Sequence, residues 1–278
     1  MSSRLTKGLL SALAIVIALV WVFPVYWMVN SAFLPTAILQ SFIPTFFPVK
    51  GTFSNFAGAV ADGSFFSALG MSVAVTLTVV VFCIVFAFLA AVAISRFRFR
   101  GRKSFVIAVL VVQMLPAEGL FIAQYKMVSS VGLLDSVIGP SIIYTAAVVP
   151  FTVWMLRGFV AGIPADLEEA GMMDGLSRFG AFMRITFPLL APGLVASGVY
   201  AFLQAWNEFT VALVLLPSEA NQTLPLWLRG FVQASATRET DWGQVMAAST
   251  LVAVPVIVFF LLVQGRLTSG LVSGAVKG

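Results

Sequence analysis

The sequence predicts an all-α protein built inside a membrane, and three observations carry that prediction. Apolar residues fill 60% of the 278 positions and charged residues only 10%. Soluble chains hold roughly 45–50% and about 25%, so polar groups here are too few to cover an aqueous surface. Six apolar stretches are each long enough to cross a hydrocarbon core of about 30 Å. Lysine and arginine cluster in the gaps between those stretches rather than within them.

The six expected spans are residues 9–33, 67–95, 104–124, 137–160, 185–215 and 243–265. A helix rising about 1.5 Å per residue needs about 20 residues to cross. Arg4 and Lys7 precede the first stretch as they would precede a signal peptide. The stretch is too long for one, however, and Trp21 to Ser31 offers no small-residue cleavage site, so a retained span is expected.

Alternate gaps differ in basic charge. One set holds twelve of the sixteen Lys and Arg, from Arg4 and Lys7 through Arg96, Arg98, Arg100, Arg102 and Lys103 to Arg157, Arg178, Arg184, Arg266 and Lys277. The other holds Lys50, Lys126, Arg229 and Arg238. Basic residues are retained on the cytoplasmic side, so both termini are expected there in a multi-pass inner-membrane chain. The formal charge of +5 is thereby a topology signal, and no nucleic-acid partner is expected. Two longer outer segments, 34–66 and 216–242, are long enough to fold back onto the membrane or to touch a partner, and Pro35, Pro44 and Pro48 argue against a continuous helix in the first.

Catalysis is poorly provided for. The chain has no histidine, which removes Ser-His-Asp, Cys-His and HExxH chemistry. It has no GxxxxGK[ST] phosphate loop, so an ATP-driven process would need ATP and magnesium bound by another chain. Cys83, the single cysteine, lies in an apolar stretch and reads as a small buried or lipid-facing side chain.

The gap between the fourth and fifth spans, about 161–184, does not read as a plain loop. Pro164 suits a first helical turn, and Asp166, Glu168 and Glu169 suit the positive end of a helix dipole. Gly175 is a natural stop, and Ser177 can cap a second short helix. Ala170 and Gly171 share a face with Leu167 and Asp174, so a helix over 164–175 would let another protein surface approach closely beside carboxylates. A helix resting on lipid headgroups is usually Lys/Arg-rich, whereas this one is acidic.

Glu169-Ala170-Gly171, then Gly175, then Ile185 and Pro188 resemble the EAA motif of binding-protein-dependent transporter permeases. Gly171 stands where the pattern has a second Ala, and Phe187 where it has Leu. Arg96-Phe-Arg-Phe-Arg-Gly-Arg-Lys103, Trp154-Met-Leu-Arg-Gly158, Ala205-Trp-Asn-Glu-Phe209 and Ser273-Gly-Ala-Val-Lys-Gly278 extend the likeness over nearly the whole chain. It points to the carbohydrate-uptake branch, and within it to the maltose-type G subunit.

That resemblance implies a six-span type I ABC importer transmembrane domain over 9–265 with a cytoplasmic coupling helix and a tail at 266–278. It implies a second homologous permease subunit, two ATPase subunits and an extracytoplasmic solute-binding protein as partners, beside membrane lipid. Glu168, Glu169, Ala170, Gly171, Asp174 and Gly175 would couple to the ATPase. The 216–242 segment would contact the loaded binding protein, and the tail either reaches the ATPase or is a frayed end.

For the solute path, polar and aromatic groups inside the spans are candidates: Gln113, Trp154, Gln204, Trp206, Asn207 and Glu208, with Glu118, Tyr125 and Tyr144 beside them. The same residues equally suit contacts between neighbouring helices or interfacial belts. Pro24, Pro116, Pro150, Pro188, Pro192 and Pro255 are expected to be fixed kinks more than gating hinges. A gradient-driven carrier is the competing class, but it shows inverted repeats, of which none is visible, and it leaves the acidic helix without a role.

Overall fold

The computed structural model describes residues 2–49, 51–61, 63–236 and 241–275. Lys50, Arg238, Lys277 and the last three tail residues lie outside the described residues, as does the side chain of Glu118. Among the described residues the structure is helical throughout, with no strand. The helices are α1 (Ser2–Ala32), α2 (Thr36–Leu39), α3 (Ser54–Val60), α4 (Ser64–Arg96), α5 (Arg102–Val112), α6 (Phe121–Ser130) and α7 (Ile138–Gly162). They continue with α8 (Asp166–Met173), α9 (Arg178–Ala181), α10 (Phe187–Leu189), α11 (Ala191–Trp206), α12 (Thr210–Leu215), α13 (Leu224–Ala236) and α14 (Trp242–Ala275).

By length and composition, four helical segments suffice to cross a membrane: Thr6–Ala32, Ser64–Arg96, Ile138–Gly162 and Trp242–Gly265. A fifth crossing follows if the pair Arg178–Leu189 and Ala191–Trp206, bent by 62°, counts as one span. Pro24, Pro150 and Pro255 lie inside α1, α7 and α14 without ending them. Pro188 and Pro192 flank the bend in the fifth segment, directly after a π-helical turn at Phe182–Thr186.

The expected third span, 104–124, is not one continuous helix in the structure. Helix α5 stops at Val112 after 11 residues, or about 16 Å of rise, too short to cross. Pro116 explains the break, because it has no N–H to donate and pushes the residue before it out of the helical region. A 3₁₀ turn over Ala117–Leu120 then leads into α6. The segment 216–242 holds a 13-residue helix, Leu224–Ala236, with Pro225 in its first turn, where proline costs no hydrogen bond.

The chain divides into two compact units, residues 1–66 with 227–255 and residues 67–226 with 256–278. In the first, the buried Asn55 amide donates to the carbonyls of Ala32 and Leu34, both at 2.9 Å, closing the end of α1. Asp241 caps α14 by accepting the N–H groups of Gly243 and Gln244, and it also accepts the Thr36 hydroxyl at 2.9 Å. Trp227 packs edge-on against Phe65 at 5.2 Å and donates its indole N–H to Ser64.

In the second unit α4 shows the burial pattern expected of a helix between protein and lipid. Val75, Val79, Cys83, Ala87, Ala91 and Ile94 are buried, while Leu77, Val81, Val85 and Leu89 are exposed. Both faces are apolar, because lipid replaces water on the outer one. Cys83 is fully buried, and its thiol donates to the Thr152 hydroxyl on α7. Helices α7 and α11 approach closely at Gly193, where an added Cβ would lie 2.5 Å from Cγ and 2.9 Å from Cβ of Phe159. Small residues permit such close helix pairing in membranes.

Candidate functional site

The gap after α7 folds as the acidic helix its residues predict, with a later start. Ala165 is the N-cap, so Pro164 precedes the helix, and Asp166, Glu168 and Glu169 fill the first turn. The stop is a Schellman motif. Gly175, at φ 88°, donates to the Met172 carbonyl, and Leu176 donates to that of Gly171, both at 3.1 Å. Ser177 then caps α9 by accepting the Gly180 N–H at 3.1 Å.

The helix has two faces with different duties. Gly171 is buried: a Cβ there would lie 2.5 Å from the Ile185 δ-methyl and 3.5 Å from Ala181. Its small size therefore serves packing within this chain, and the Ile185 methyl fills the room that the second Ala of the motif would take. Ala170, Glu169 and Asp174 are exposed. So are Leu167, Met173 (89%) and Phe179 (74%), which set apolar area beside the carboxylates.

Glu168 turns the other way. Its carboxylate pairs with the Arg96 guanidinium at 3.0 Å and accepts the Thr186 hydroxyl at 2.7 Å. Arg96 also donates to the Ile163 carbonyl at 3.2 Å. The two charged side chains are only 17% and 14% exposed, where a charge is held by its partner rather than by water. The end of α4, the residue capping α7 and the π turn entering α10 thus meet at one ion pair on α8. Sequence reading took Arg96 as a topology charge and as part of the family likeness, and did not foresee its role here or that of Thr186. The one available signal was that Arg96 directly follows an apolar span while Glu168 opens an acidic helix.

The solute-path candidates do not form one cluster on described contacts. Gln113 follows α5 and donates to the Ala147 carbonyl of α7 at 3.1 Å. Trp154, on α7, is half exposed, and Gln204, on α11, is exposed. Trp206 is buried and stacked on Phe202, with no acceptor for its indole N–H among the described residues. Asn207 donates to the Leu203 carbonyl at 2.8 Å, capping the end of α11. Glu208 accepts the N–H groups of Val211 (2.8 Å) and Ala212 (3.1 Å) at the start of α12. The acid in the fifth span thus serves the backbone of a broken helix, whose freed N–H groups need an acceptor inside a membrane.

Two other loops of the same unit are clamped at Asp135, a non-glycine residue at φ 53°. Its N–H donates to Leu215, its carboxylate accepts Ser218 N–H and its carbonyl accepts the Asn221 amide, each at 3.0 Å.

Comparison with known proteins adds the following. Residues 84–272 match the family model described as "Binding-protein-dependent transport system inner membrane component". A diacetylchitobiose uptake system permease from Streptomyces coelicolor is 41% identical over 265 residues, 95% of each chain. A trehalose transport system permease from Mycobacterium tuberculosis is 33% identical over 92% of each chain. A trehalose/maltose transport system permease from Thermococcus litoralis is 32% identical over 95% of each. Among solved structures, a bacterial ABC transporter that imports alginate superposes with a TM-score of 0.77 at 25% identity, covering 95% of this chain and 97% of that one.

Proposed function

The chain belongs to the family of binding-protein-dependent transport system inner membrane components, and from that premise we propose how it is driven and what it carries. It is the permease subunit of an ABC importer. Its solute, in the proposed reading, is a sugar of disaccharide size. The support is the agreement among relatives named for diacetylchitobiose, trehalose and maltose across nearly the full chain.

The exposed side of α8 is the proposed coupling surface. Glu169, Ala170 and Asp174 would meet an ATPase subunit that binds ATP and magnesium, with Met173 and Phe179 supplying apolar contact. Glu168, Gly171 and Gly175 hold the helix in shape behind that surface. The observation that carries this reading is the division of labour on α8, with the motif's carboxylate and Ala presented outward and its Gly packed inward. Closure of the ATPase dimer would move α8 as a rigid body and, through it, the ends of α4 and α11.

The proposed assembly has a second homologous permease subunit, two ATPase subunits and an extracytoplasmic binding protein, with both termini in the cytoplasm. The transmembrane domain covers 9–265, with the coupling loop at 161–184 and a cytoplasmic tail from 266. Trp154 and Gln204, exposed on α7 and α11, are the proposed sugar contacts, because a pyranose offers apolar faces and polar edges. Trp206, Asn207 and Glu208 would shape the path at the break between α11 and α12, and Gln113 would line it beside Ala147 of α7.

Copurification with the ATPase tests the coupling surface. Wild type is expected to retain the ATPase in nanodiscs, and Glu169→Lys to lose it or to uncouple ATP hydrolysis from uptake. Unchanged assembly and unchanged solute-stimulated hydrolysis in Glu169→Lys would remove α8 from this role. Uptake of labelled chitobiose derivatives, trehalose and maltose by vesicles holding the whole transporter tests the solute class.

A further inference from the structure

Between Lys7 and Lys50 the sequence has no Asp, Glu, Lys or Arg. Helix α1 accounts for the first part of that interval. The remainder, from Phe33 to Val49, is an outer loop in which charge would be expected if water surrounded it. Instead it presents Phe42, Ile43, Phe47 and Val49, each at least 70% exposed. Isolated exposed apolar residues are ordinary, but four on one uncharged loop form a surface that water does not favour.

The loop's hydrogen bonds fix its depth. From Thr6 to Tyr26 the helix rises about 30 Å, the thickness of the hydrocarbon core. Tyr26 and Trp27 thus stand at the far membrane–water boundary, where such rings concentrate. The loop runs back to this level. Asn30 donates to the Thr45 carbonyl at 2.8 Å, the Tyr26 hydroxyl donates to that of Phe46, and Phe46 packs edge-on against Trp27 at 5.6 Å.

Some of the loop's own polar groups are bonded within it. Ser41 donates to the Ile38 carbonyl (2.7 Å) and lies 3.0 Å from that of Ile43, and Val49 N–H donates to Phe47. Pro35, Pro44 and Pro48 have no N–H to satisfy. A segment with no charge, prolines without N–H groups and large apolar side chains at boundary depth is suited to the headgroup–acyl region, where water and headgroups still accept its remaining N–H groups.

We propose that residues 41–49 are a lipid-inserted anchor, seating Phe42, Ile43 and Phe47 in the leaflet opposite the N-terminus. The apolar, uncharged surface of α1 continues into this loop, so one bilayer covers both. The anchor fixes the height of α1 and leaves the loop facing lipid rather than the solute-binding protein.

Site-directed spin labelling of the whole transporter in phosphatidylethanolamine/phosphatidylglycerol nanodiscs tests this. Phe42→Cys and Phe47→Cys are made in a Cys83→Ser background, with Phe46 left intact because it holds the loop to Trp27. Each nitroxide is expected to collide with oxygen and to lose collisions with a water-soluble nickel chelate. A label open to the nickel chelate would place the loop in water and overturn the proposal. A label that is immobilised and loses both kinds of collision would show that protein, such as a second permease subunit, covers the loop, and would overturn it equally. Ser54→Cys, exposed beyond the loop, supplies the aqueous reference.

Discussion

Replacing Glu168 with Ala leaves the Arg96 guanidinium without its carboxylate in a site where that side chain is only 17% exposed. Removing one partner from a fully buried ion pair costs about 3–5 kcal/mol, and an exposed pair is worth about 0.2–1 kcal/mol. Arg96 keeps the Ile163 carbonyl at 3.2 Å and some access to water. The expected loss is therefore about 1–3 kcal/mol, between those limits. For a chain of this size that is about 2–4 °C of Tm per kcal/mol. The assay is thermal unfolding of the purified chain in nanodiscs, run as a cycle with Arg96→Met, Glu168→Met and the double variant. The double variant is expected to recover most of the stability, because an apolar pair of similar size avoids the cost of burying charge. A coupling energy below about 0.5 kcal/mol, the level of independent sites, would refute the claim that this pair ties α8 to α4. Recovery of Tm without recovery of coupled uptake would separate the pair's role in transmission from its role in folding.

Other outcomes follow from the same geometry. Gly175→Ala forces a Cβ into the left-handed region at φ 88°, costing about 1–2 kcal/mol; a lowered Tm with poorer coupling of ATP hydrolysis to uptake is expected. Gly193→Ala meets the Phe159 ring and Cβ and is expected to lose about 1–3 kcal/mol through overpacking, partly recovered by adding Phe159→Ala in the same melting assay. Glu208→Gln weakens the acceptor of two N–H groups at α12 and is expected to cost about 0.5–2 kcal/mol, the range for a lost cap. Uptake measured on the same variant should keep its KM if the carboxylate serves the backbone, and a large rise in KM would place it against the solute.

The sequence made the membrane architecture legible because hydropathy and charge placement act over whole segments. It also located the acidic helix, its glycine stop and the Ser177 cap, since each is a local matter of backbone chemistry. It did not foresee that 104–124 is broken, because average hydropathy outweighed the single Pro116 that divides the stretch. At the site, the motif indicated which residues sit on α8 but not which way they face. Glu168 and Glu169 are neighbours of one type, yet Arg96, seventy-two positions earlier, turns the first inward. Gly171 read as room for a partner because Ile185, which occupies that room, meets it only after the turn at Gly175 is made. The Glu208 cap on α12 went unread because the break it caps is a tertiary event that periodicity does not reveal.

The π-helical turn at Phe182–Thr186 bears on how this chain tolerates length changes. A π turn carries one residue more than an α turn. Losing one residue there lets the turn close as ordinary α-helix and leaves the following helix with its faces in register. The same loss inside α11 rotates everything after it by about 100°, turning Ser197, Ala201 and Ala205 out of their buried face. Single-residue deletions are therefore expected to be accepted between 182 and 186 and rejected between 193 and 205, with folded yield in the membrane as the readout. The extra residue is a register allowance, set where the loop holding α8 joins the bent fifth segment.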